Sequence, residues 1–386
     1  MNNKVICLYP RLTKWMGGSR FLYDVLFRLN MEREVILIVQ REDVAVTNKF
    51  RENGIKTICL NSPSFTEIKF WLFFSFYLKS NFRKIKAEIN HNDIIISFMF
   101  PMNYLATMSG LPHIQIVYEP FAMFFDDIWQ KNHSFLLNVF CKIIKKLFSK
   151  NDILSVQKAN QLLTLSEFEY ENCLRIYDKK SKIIYEGVDT NFFYPRKSSK
   201  LDEKYKAQNI LFHSTGYDSY KGTDHLIKAL PLILLEHPDT LTLISHTRED
   251  NQKRNMYSKF LKSNNIEHKV LFLGFIDFER LPEYYSIANL YLEPGINRSM
   301  SLSSKEANAC GTPSVRGEIG TEDTIDGFTG ILTSSTDEEI LANDVIKLLN
   351  DKKYIETLGR NAKEHVLKNY TWDIVLKRID DSIINL

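Results

Sequence analysis

The sequence predicts an α/β fold in which a doubly wound parallel sheet is built twice. The chain of 386 residues is longer than one ordinary hydrophobic core requires, and it suggests two domains of roughly 150–200 residues each. Short apolar runs alternate with stretches of helical periodicity from one end of the chain to the other. Because these runs are apolar throughout, they are typical of parallel strands covered by helices on both faces.

The first half of the chain contains seven candidate strands separated by candidate helices. The strands lie at residues 5–9, 35–39, 56–60, 94–98, 113–118, 162–166 and 182–185. Helical periodicity is clearest over residues 18–29 and 167–177.

The second half repeats the pattern with five candidate strands. These lie at residues 210–213, 240–245, 270–273, 290–292 and 313–315. Helices are predicted at residues 222–237, 337–350 and 371–386. Between the halves, residues 188–206 are turn-forming, charged and poor in periodicity, which predicts domains at 1–188 and 189–369.

Composition argues against several classes of protein. Hydrophobic residues make up 44% and charged residues 25% of the chain, a globular balance, and the net charge of +3 gives no reason to expect a nucleic acid partner. Five scattered cysteines, an odd number without metal-ligand spacing, argue against a disulfide framework. No apolar run approaches the roughly 18–20 residues that span a bilayer, and the N-terminus lacks the apolar region of a signal peptide. We therefore expect a cytoplasmic protein.

The strongest local indication of a ligand is the segment 292–315. A strand ends there, a loop rich in Gly, Asn and Ser follows, and a helix begins near Leu302. Ser301 and Ser303 offer capping hydroxyls, and the N–H groups at such a helix start attract phosphate. Glu306, one turn into the helix, fits an ordinary capping box as well, so the segment alone is a weak indication.

Motifs that occur in a consistent order along most of the chain strengthen this indication. They are Gly17-Gly18, Tyr185-Glu186-Gly187-Val188-Asp189, Tyr220-Lys221-Gly222-Thr223-Asp224, Glu306 followed by Cys310-Gly311-Thr312-Pro313, Asn361-Ala362 and Tyr370-Thr371-Trp372. Together they resemble the retaining glycosyltransferases of the family 4 type (glycosyl transferases group 1), which have the GT-B fold. The resemblance implies two Rossmann-like domains facing across a cleft. The first, at 1–188, binds the acceptor, the second, at 189–369, binds the nucleotide-sugar, and the C-terminal helix 370–386 crosses back to the first.

The resemblance also implies roles for individual residues. Lys221 stabilises the negative charge that develops on the β-phosphate of the leaving nucleotide, and Glu306 holds the ribose hydroxyls. Other positions approach the donor through backbone atoms or hydroxyls; they are Gly17, Gly18, Gly222, Ser301, Leu302 and Ser303.

Three positions depart from the family pattern. Arg298 stands where the family usually has a Glu near the donor sugar, and the usual arginine before the lysine-glycine loop is replaced by Thr215 or Gly216, depending on the alignment. We predict that Arg298 replaces this phosphate-binding arginine or recognises a carboxylate on an acidic donor sugar. The remaining alternative is an ordinary surface arginine in a long loop. Tyr118 stands where relatives carry a histidine, and it is no general base at neutral pH without a large pKa shift. The next residue, Glu119, is either a ligand of the acceptor hydroxyl or an ordinary loop carboxylate.

Other features bear on cofactors and partners. No Asp-x-Asp follows a strand and no His/Asp cluster has metal spacing, so we expect no metal and no cofactor beyond a UDP- or GDP-linked sugar as co-substrate. Two basic stretches at 67–88 and 140–150 are either core-facing helices with a solvated basic side or helices that contact an anionic membrane.

The sequence therefore predicts a retaining, metal-independent hexosyltransferase that uses a nucleotide-sugar donor. Its acceptor is a saccharide or a lipid-linked molecule of cell-envelope polysaccharide or glycolipid biosynthesis, met in the cytoplasm or at the inner face of the cell membrane. The alternative is a catalytically inactive relative that binds nucleotide or glycan as a partner subunit, which the altered Arg298, Thr215 and Tyr118 favour. Lys221 and Glu306 speak against that alternative.

Overall fold

The chain is divided into two units, each built on its own parallel sheet. The computed structural model describes residues 4–15, 17–126, 135–205, 209–214, 216–217, 219–246, 250–296, 301–318 and 322–386. Unit 1 comprises Met1–Glu186 and Val375–Leu386, and unit 2 comprises Gly187–Ile374.

Unit 1 is built on a sheet of seven parallel strands. The strands are β1 (Val5–Leu12), β2 (Val35–Glu42), β3 (Lys56–Cys59), β4 (Ile94–Ser97), β5 (His113–Val117), β6 (Gln161–Thr164) and β7 (Lys182–Ile183). Their order in the sheet is β3-β2-β1-β4-β5-β6-β7, and it reverses direction between β1 and β4. The helices are α1 (Gly17–Leu29), α2 (Val44–Arg51), α3 (Ile68–Leu72), α4 (Phe74–Lys86), α5 (Met102–Ser109), α6 (Ala122–Phe125), α7 (Phe135–Lys158) and α8 (Glu167–Tyr177).

Unit 2 repeats this topology with six parallel strands. The strands are β8 (Asn209–His213), β9 (Thr240–Ser245), β10 (Val270–Gly274), β11 (Leu290–Glu293), β12 (Ser314–Gly317) and β13 (Gly330–Thr333). Their order is β10-β9-β8-β11-β12-β13, with the reversal between β8 and β11. The helices are α9 (Ser199–Lys204), α10 (Thr223–Glu236), α11 (Asn251–Ser263), α12 (Leu281–Ile287), α13 (Leu302–Ala309), α14 (Glu338–Asn350), α15 (Lys352–Asn369) and α16 (Trp372–Ile384).

The predicted α/β class is confirmed, and the reason lies in the strands. Every residue of β4, β5, β8 and β9 is buried, so both faces of each sheet are covered. Helix starts follow local capping chemistry, since the Ser166 hydroxyl accepts from the Glu169 N–H at 3.1 Å where α8 begins. All five cysteines are free thiols.

One element was missed by the sequence prediction. Each of the twelve predicted strands is present, with ends that differ by a few residues, but β13 at the edge of unit 2 was not predicted. Its four residues hold only Ile331 and Leu332 as apolar positions, too few for a pattern to show. The two basic stretches are helical: residues 67–88 form α3 and α4, and residues 140–150 lie within the 24-residue α7.

Helix α16 begins in unit 2 and ends in unit 1. Its second part packs on unit 1 through the buried Val375 and Ile379. Asp380 accepts a hydrogen bond from the Arg33 guanidinium at 3.0 Å. The end of the chain thus completes the first unit.

Candidate functional site

The loops that matter for a ligand in unit 2 leave the sheet where its strand order reverses. β8 ends at His213 and its neighbour β11 ends at Glu293. In doubly wound sheets, the loops diverge at such a switch point and leave a crevice beyond the strand ends. Lys221 follows β8 and Ser301 follows β11, so the topology brings these two predicted site residues together.

Backbone packing fixes the loop that carries Lys221. Gly222 has φ +85°, and a Cβ there would lie 2.5 Å from the Gly295 nitrogen. A Cβ at Gly295 would lie 2.0 Å from the Tyr220 oxygen, and one at Gly317 would lie 2.0 Å from the Gly295 oxygen. We call Gly222, Gly295 and Gly317 the glycine stack. Gly222 was predicted to approach the donor through its backbone, and in the structure the missing side chain allows its close contact with Gly295.

His213 holds the same loop from the strand side. Its Nδ1 lies 2.7 Å from the Leu292 carbonyl oxygen, and its Nε2 lies 2.9 Å from the Thr223 hydroxyl. The Thr223 hydroxyl in turn donates to the Gly216 carbonyl at 2.6 Å. Burial lowers the pKa of His213. The ring links β8, β11 and the start of α10.

A buried carboxylate, Glu293, lies at the centre of this region. Its Oε1 is 2.9 Å from Lys221 Nζ and 2.7 Å from a terminal nitrogen of Arg316. Its Oε2 accepts hydrogen bonds from the Ser301 hydroxyl at 2.6 Å and from the Tyr291 hydroxyl at 3.2 Å. One side chain therefore joins the loop after β8, the strand β12 and the start of α13.

The charges of this cluster stabilise one another. Burial alone would raise the pKa of Glu293, but the Arg316 guanidinium and the Lys221 ammonium outweigh it and hold that pKa well below its usual range. Burial works against the charge of Arg316 as well, whereas Asp323, at 3.7 Å, and Glu293 raise its pKa. We call Lys221, Glu293, Arg316 and Asp323 the ion cluster.

The start of α13 presents the predicted phosphate donors. Ser301 is the N-cap, and its side chain accepts from the Ser304 N–H at 3.2 Å. Leu302 and Ser303 form the first turn, where backbone N–H groups have no intrahelical acceptor. The first turn of a helix attracts anions because of these groups and the helix dipole.

Glu306 is buried and is connected to the ion cluster through hydroxyl groups. Its Oε2 accepts from the Tyr285 hydroxyl at 3.1 Å. Ser214 lies 3.3 Å from that hydroxyl and 3.2 Å from the hydroxyl of Tyr291, which donates to Glu293. The predicted ribose ligand and the predicted phosphate ligand of unit 2 thus belong to one polar network.

In unit 1, the predicted residues lie beyond the ends of β1 and β5. The Tyr118 hydroxyl donates to the Gly18 carbonyl at 2.9 Å, and a Cβ at Gly18 would lie 3.1 Å from the Tyr118 ring. Burial raises the pKa of Tyr118 well above its usual value. The phenol is therefore a protonated donor that fastens the glycine turn. Gly17 faces open space, and Glu119 is exposed.

Two predicted site residues, Arg298 and Thr215, lie outside the described residues.

Sequence reasoning missed Glu293, Arg316 and Asp323. Glu293 and Arg316 are Cα partners in the neighbouring strands β11 and β12, where the sequence shows a single charge ending each run. The opposite charges of Glu293 and Arg316 become an indication only once the pairing of β11 with β12 is known.

The described part of the chain contains no group of three or more His, Cys, Asp or Glu side chains that could hold a metal ion. Among the helices of that part, none has the length and apolar character to span a membrane.

Structural comparison establishes the class of fold. The structure of HepE from Anabaena in complex with UDP matches with a TM-score of 0.80 and 16% identity, covering 99% of this chain and 100% of that one. At this identity the likeness shows the fold alone. The chain has the GT-B fold, with two parallel α/β sheets in two units.

Residues 196–365 match the model of the family Glycosyl transferases group 1. The resemblance seen in the sequence is confirmed at this level. An uncharacterized glycosyltransferase from Methanocaldococcus jannaschii is 28% identical over 240 residues, 58% of this chain and 60% of that protein.

A second relative comes from Corynebacterium glutamicum. It is a GDP-mannose-dependent monoacylated alpha-(1-6)-phosphatidylinositol monomannoside mannosyltransferase, 26% identical over 168 residues. The match covers 41% of this chain and 42% of that protein. The chain thus spans less than two thirds of the length of either relative.

Proposed function

We propose that the chain is a retaining glycosyltransferase that moves a hexosyl group from a nucleotide diphosphate sugar to a saccharide or lipid-linked acceptor in cell-envelope polysaccharide or glycolipid biosynthesis. The observation that supports this most is the meeting of Lys221 and the Ser301 cap of α13 on one buried carboxylate. A cation and a helix start side by side form a site suited to a diphosphate.

In the proposed reaction, the bond between the anomeric carbon and the β-phosphate oxygen breaks. The acceptor oxygen bonds to the same face of that carbon, and its proton passes to the departing phosphate. Lys221 and the first-turn N–H groups of Leu302 and Ser303 stabilise the negative charge that develops on the phosphate. Because side-chain and backbone donors supply this stabilisation, we propose that the transfer needs no metal ion.

The first experiment is a donor screen with UDP- and GDP-linked sugars. One relative is named as GDP-mannose-dependent and HepE was solved with UDP, so both bases belong in the panel. We expect slow release of free nucleotide from one donor, unaffected by EDTA, and product NMR should show retained anomeric configuration once an acceptor is found. Release that depends on added metal would refute metal independence.

The role of Lys221 is tested by Lys221→Met, with Lys228→Met as the matched control. Lys228 is half exposed in α10 and lies 3.9 Å from Glu338, outside the site. We expect Lys221→Met to lower donor turnover about 100-fold, since it removes a charge that acts on the leaving phosphate, and Lys228→Met to leave it unchanged. Equal turnover in both variants would contradict the assignment.

The same screen separates the proposal from a catalytically inactive partner subunit. Tight binding of a nucleotide without release, maintained across a panel of saccharide and lipid-linked acceptors, would support the inactive subunit and overturn the enzyme.

We further propose that unit 1 contacts an anionic membrane, the inner face of the cell membrane. Phe148 of α7 packs against Trp71 of α3 and Phe74 of α4, with ring centroids 5.3 and 4.4 Å apart, so these helices are neighbours. Exposed apolar residues on or between these helices include Leu72, Phe73, Phe76, Ile143 and Leu147. Exposed basic residues on the same helices include Lys69, Lys79, Lys142 and Lys146. Apolar residues among lysines suit the interface of an anionic bilayer.

The membrane proposal is tested by Lys142→Glu together with Lys146→Glu. Lys145 is left unchanged because its ammonium lies over the Phe125 ring. We expect this double variant to lose most of its binding to vesicles of phosphatidylserine and phosphatidylcholine. Lys352→Glu with Lys353→Glu, an equal charge change at exposed positions of unit 2, should bind like the wild type. Binding that is equal in both double variants would refute the proposal.

A further inference from the structure

The two carboxylate oxygens of Glu293 contact two different parts of the phosphate site. Oε1 faces Lys221 at 2.9 Å, and Oε2 accepts the Ser301 hydroxyl at 2.6 Å. Glu293 itself is the last residue of β11 and is fully buried. A rigid strand end therefore sets the separation between the cation and the first turn of α13.

Arg316 determines how much of the Lys221 charge remains for a ligand. Its guanidinium lies 2.7 Å from the oxygen that Lys221 also contacts. Two cations thus share one Glu293 oxygen, so this carboxylate offsets the Lys221 charge less than an exclusive partner would. Asp323 lies 3.7 Å from the Arg316 guanidinium and contacts neither Lys221 nor Ser301 in the described hydrogen bonds and ion pairs.

Exposure shows which member of the ion cluster a ligand meets. The Lys221 side chain is 19% exposed, whereas those of Glu293, Arg316 and Asp323 are 0–1% exposed. An anion therefore reaches this cluster through Lys221, and Glu293 acts on the anion through its contact with Lys221.

We propose that Glu293 is a positioning residue for the donor diphosphate, because it holds Lys221 and the capped start of α13 at a fixed separation. Arg316 shares the Glu293 carboxylate, which leaves more of the Lys221 charge to act on phosphate. This inference rests on the proposed donor site of unit 2. According to this proposal, a buried negative charge next to a phosphate site strengthens the binding of an anion.

The proposal and simple electrostatics predict opposite changes in anion affinity when the charge of Glu293 is removed. Removing a negative charge beside a phosphate site should strengthen anion binding if only the charge mattered. Glu293→Gln should instead weaken it, because the amide no longer holds the ammonium and the Ser301 hydroxyl together.

The matched control is Asp323→Asn. It removes one buried negative charge from the same cluster with the same isosteric change, but it leaves the contacts of Glu293 with Lys221 and Ser301 in place. The Kd of UDP and of GDP is measured by calorimetry for the full chain, with thermal unfolding recorded for each variant. We expect Glu293→Gln to raise the Kd about tenfold, the equivalent of one charge-assisted hydrogen bond. Asp323→Asn should change it by no more than about twofold.

Ser301→Ala provides a second test that remains usable if Glu293→Gln does not fold. It cuts the link between Glu293 and α13 and removes the cap hydrogen bond from the Ser304 N–H, but it leaves the contact between Glu293 and Lys221. It should raise the Kd about threefold, less than the loss of both links of Glu293. An unchanged or lower Kd in Glu293→Gln would overturn the inference, and so would equal changes in Glu293→Gln and Asp323→Asn. If Glu293→Gln does not fold, an unchanged or lower Kd in Ser301→Ala would overturn it. A wild type that binds neither UDP nor GDP would remove the proposed donor site, and this inference with it.

Discussion

Two buried carboxylates, Asp152 in unit 1 and Glu293 in unit 2, have partners of different kinds. Asp152 accepts hydrogen bonds from neutral groups, the Asn103 amide at 2.7 Å and the Tyr177 hydroxyl at 3.1 Å. Glu293 lies within 2.9 Å of an ammonium and a guanidinium. Both carboxylates are removed from water, so the partners account for the difference between them.

The difference shows in their pKa values. Burial raises the pKa of Asp152 to about 6, and the hydrogen bonds from Asn103 and Tyr177 offset this only in part. At Glu293 the same burial is outweighed by Arg316 and Lys221, which hold its pKa well below the usual range. Neutral donors leave a buried carboxyl that titrates near neutrality, whereas cations produce a permanent charge on which a binding site can depend.

The largest expected effect comes from removing the guanidinium of unit 2. Arg316→Met leaves Glu293 and Asp323 with one fewer cation in a buried cluster, and we expect a loss of about 3 kcal/mol or more in the free energy of unfolding. Urea unfolding followed by circular dichroism measures it. Arg360→Met, at an exposed arginine of α15, is the control and should stay within about 0.5 kcal/mol of the wild type. A similar loss in both variants would contradict a special role for Arg316.

A second effect comes from the titration of Asp152. Its folded-state pKa of about 6 is above the usual 3.8, so the stability that its protonated form contributes is lost as the pH rises through 6. Asp152→Asn does not titrate. The difference in unfolding free energy between variant and wild type should therefore shift in favour of the variant by about 2 kcal/mol from pH 4.5 to pH 7. Urea titrations at these two pH values measure the shift, and a constant difference would show that Asp152 ionises normally.

The smallest expected effect comes from replacing the tyrosine partner of each carboxylate by phenylalanine. Tyr177→Phe removes one of the two neutral donors that Asp152 has, and Tyr291→Phe removes a donor from a carboxylate that also has two cations. At pH 7 we expect about 1.5 kcal/mol of destabilisation for Tyr177→Phe and about 0.5 kcal/mol for Tyr291→Phe. A larger loss of unfolding free energy for Tyr291→Phe than for Tyr177→Phe would mean that the Tyr291 hydroxyl, rather than the cations, stabilises the charge of Glu293.

Features written in a local pattern were predictable from the sequence, both in the fold and in the site. Strand β9 and helix α8 were predicted at their observed residues because apolar and amphipathic periodicity marks them. Lys221 and Ser301 were found because each belongs to a short motif next to a strand. Strand β13 was missed because two apolar residues make no pattern.

Partners across strands were beyond what the sequence reading could reach. Glu293 and Arg316 are 23 positions apart in the chain, and only the register of β11 with β12 makes them neighbours. The role of Tyr118 as a donor to Gly18 depends in the same way on a contact across 100 positions. Such contacts follow from tertiary packing, about which secondary-structure propensity and hydrophobic periodicity give no information.

The passage of α16 from one unit to the other has a practical consequence for dissecting the protein. Unit 1 is discontinuous in the chain, since its last part begins at Val375. A recombinant fragment ending at Glu186 would lack Val375, Ile379 and Ile383, which are buried in the folded protein. The apolar surface left uncovered would favour aggregation, so a soluble version of unit 1 has to carry the terminal helix through a linker or a circular permutation.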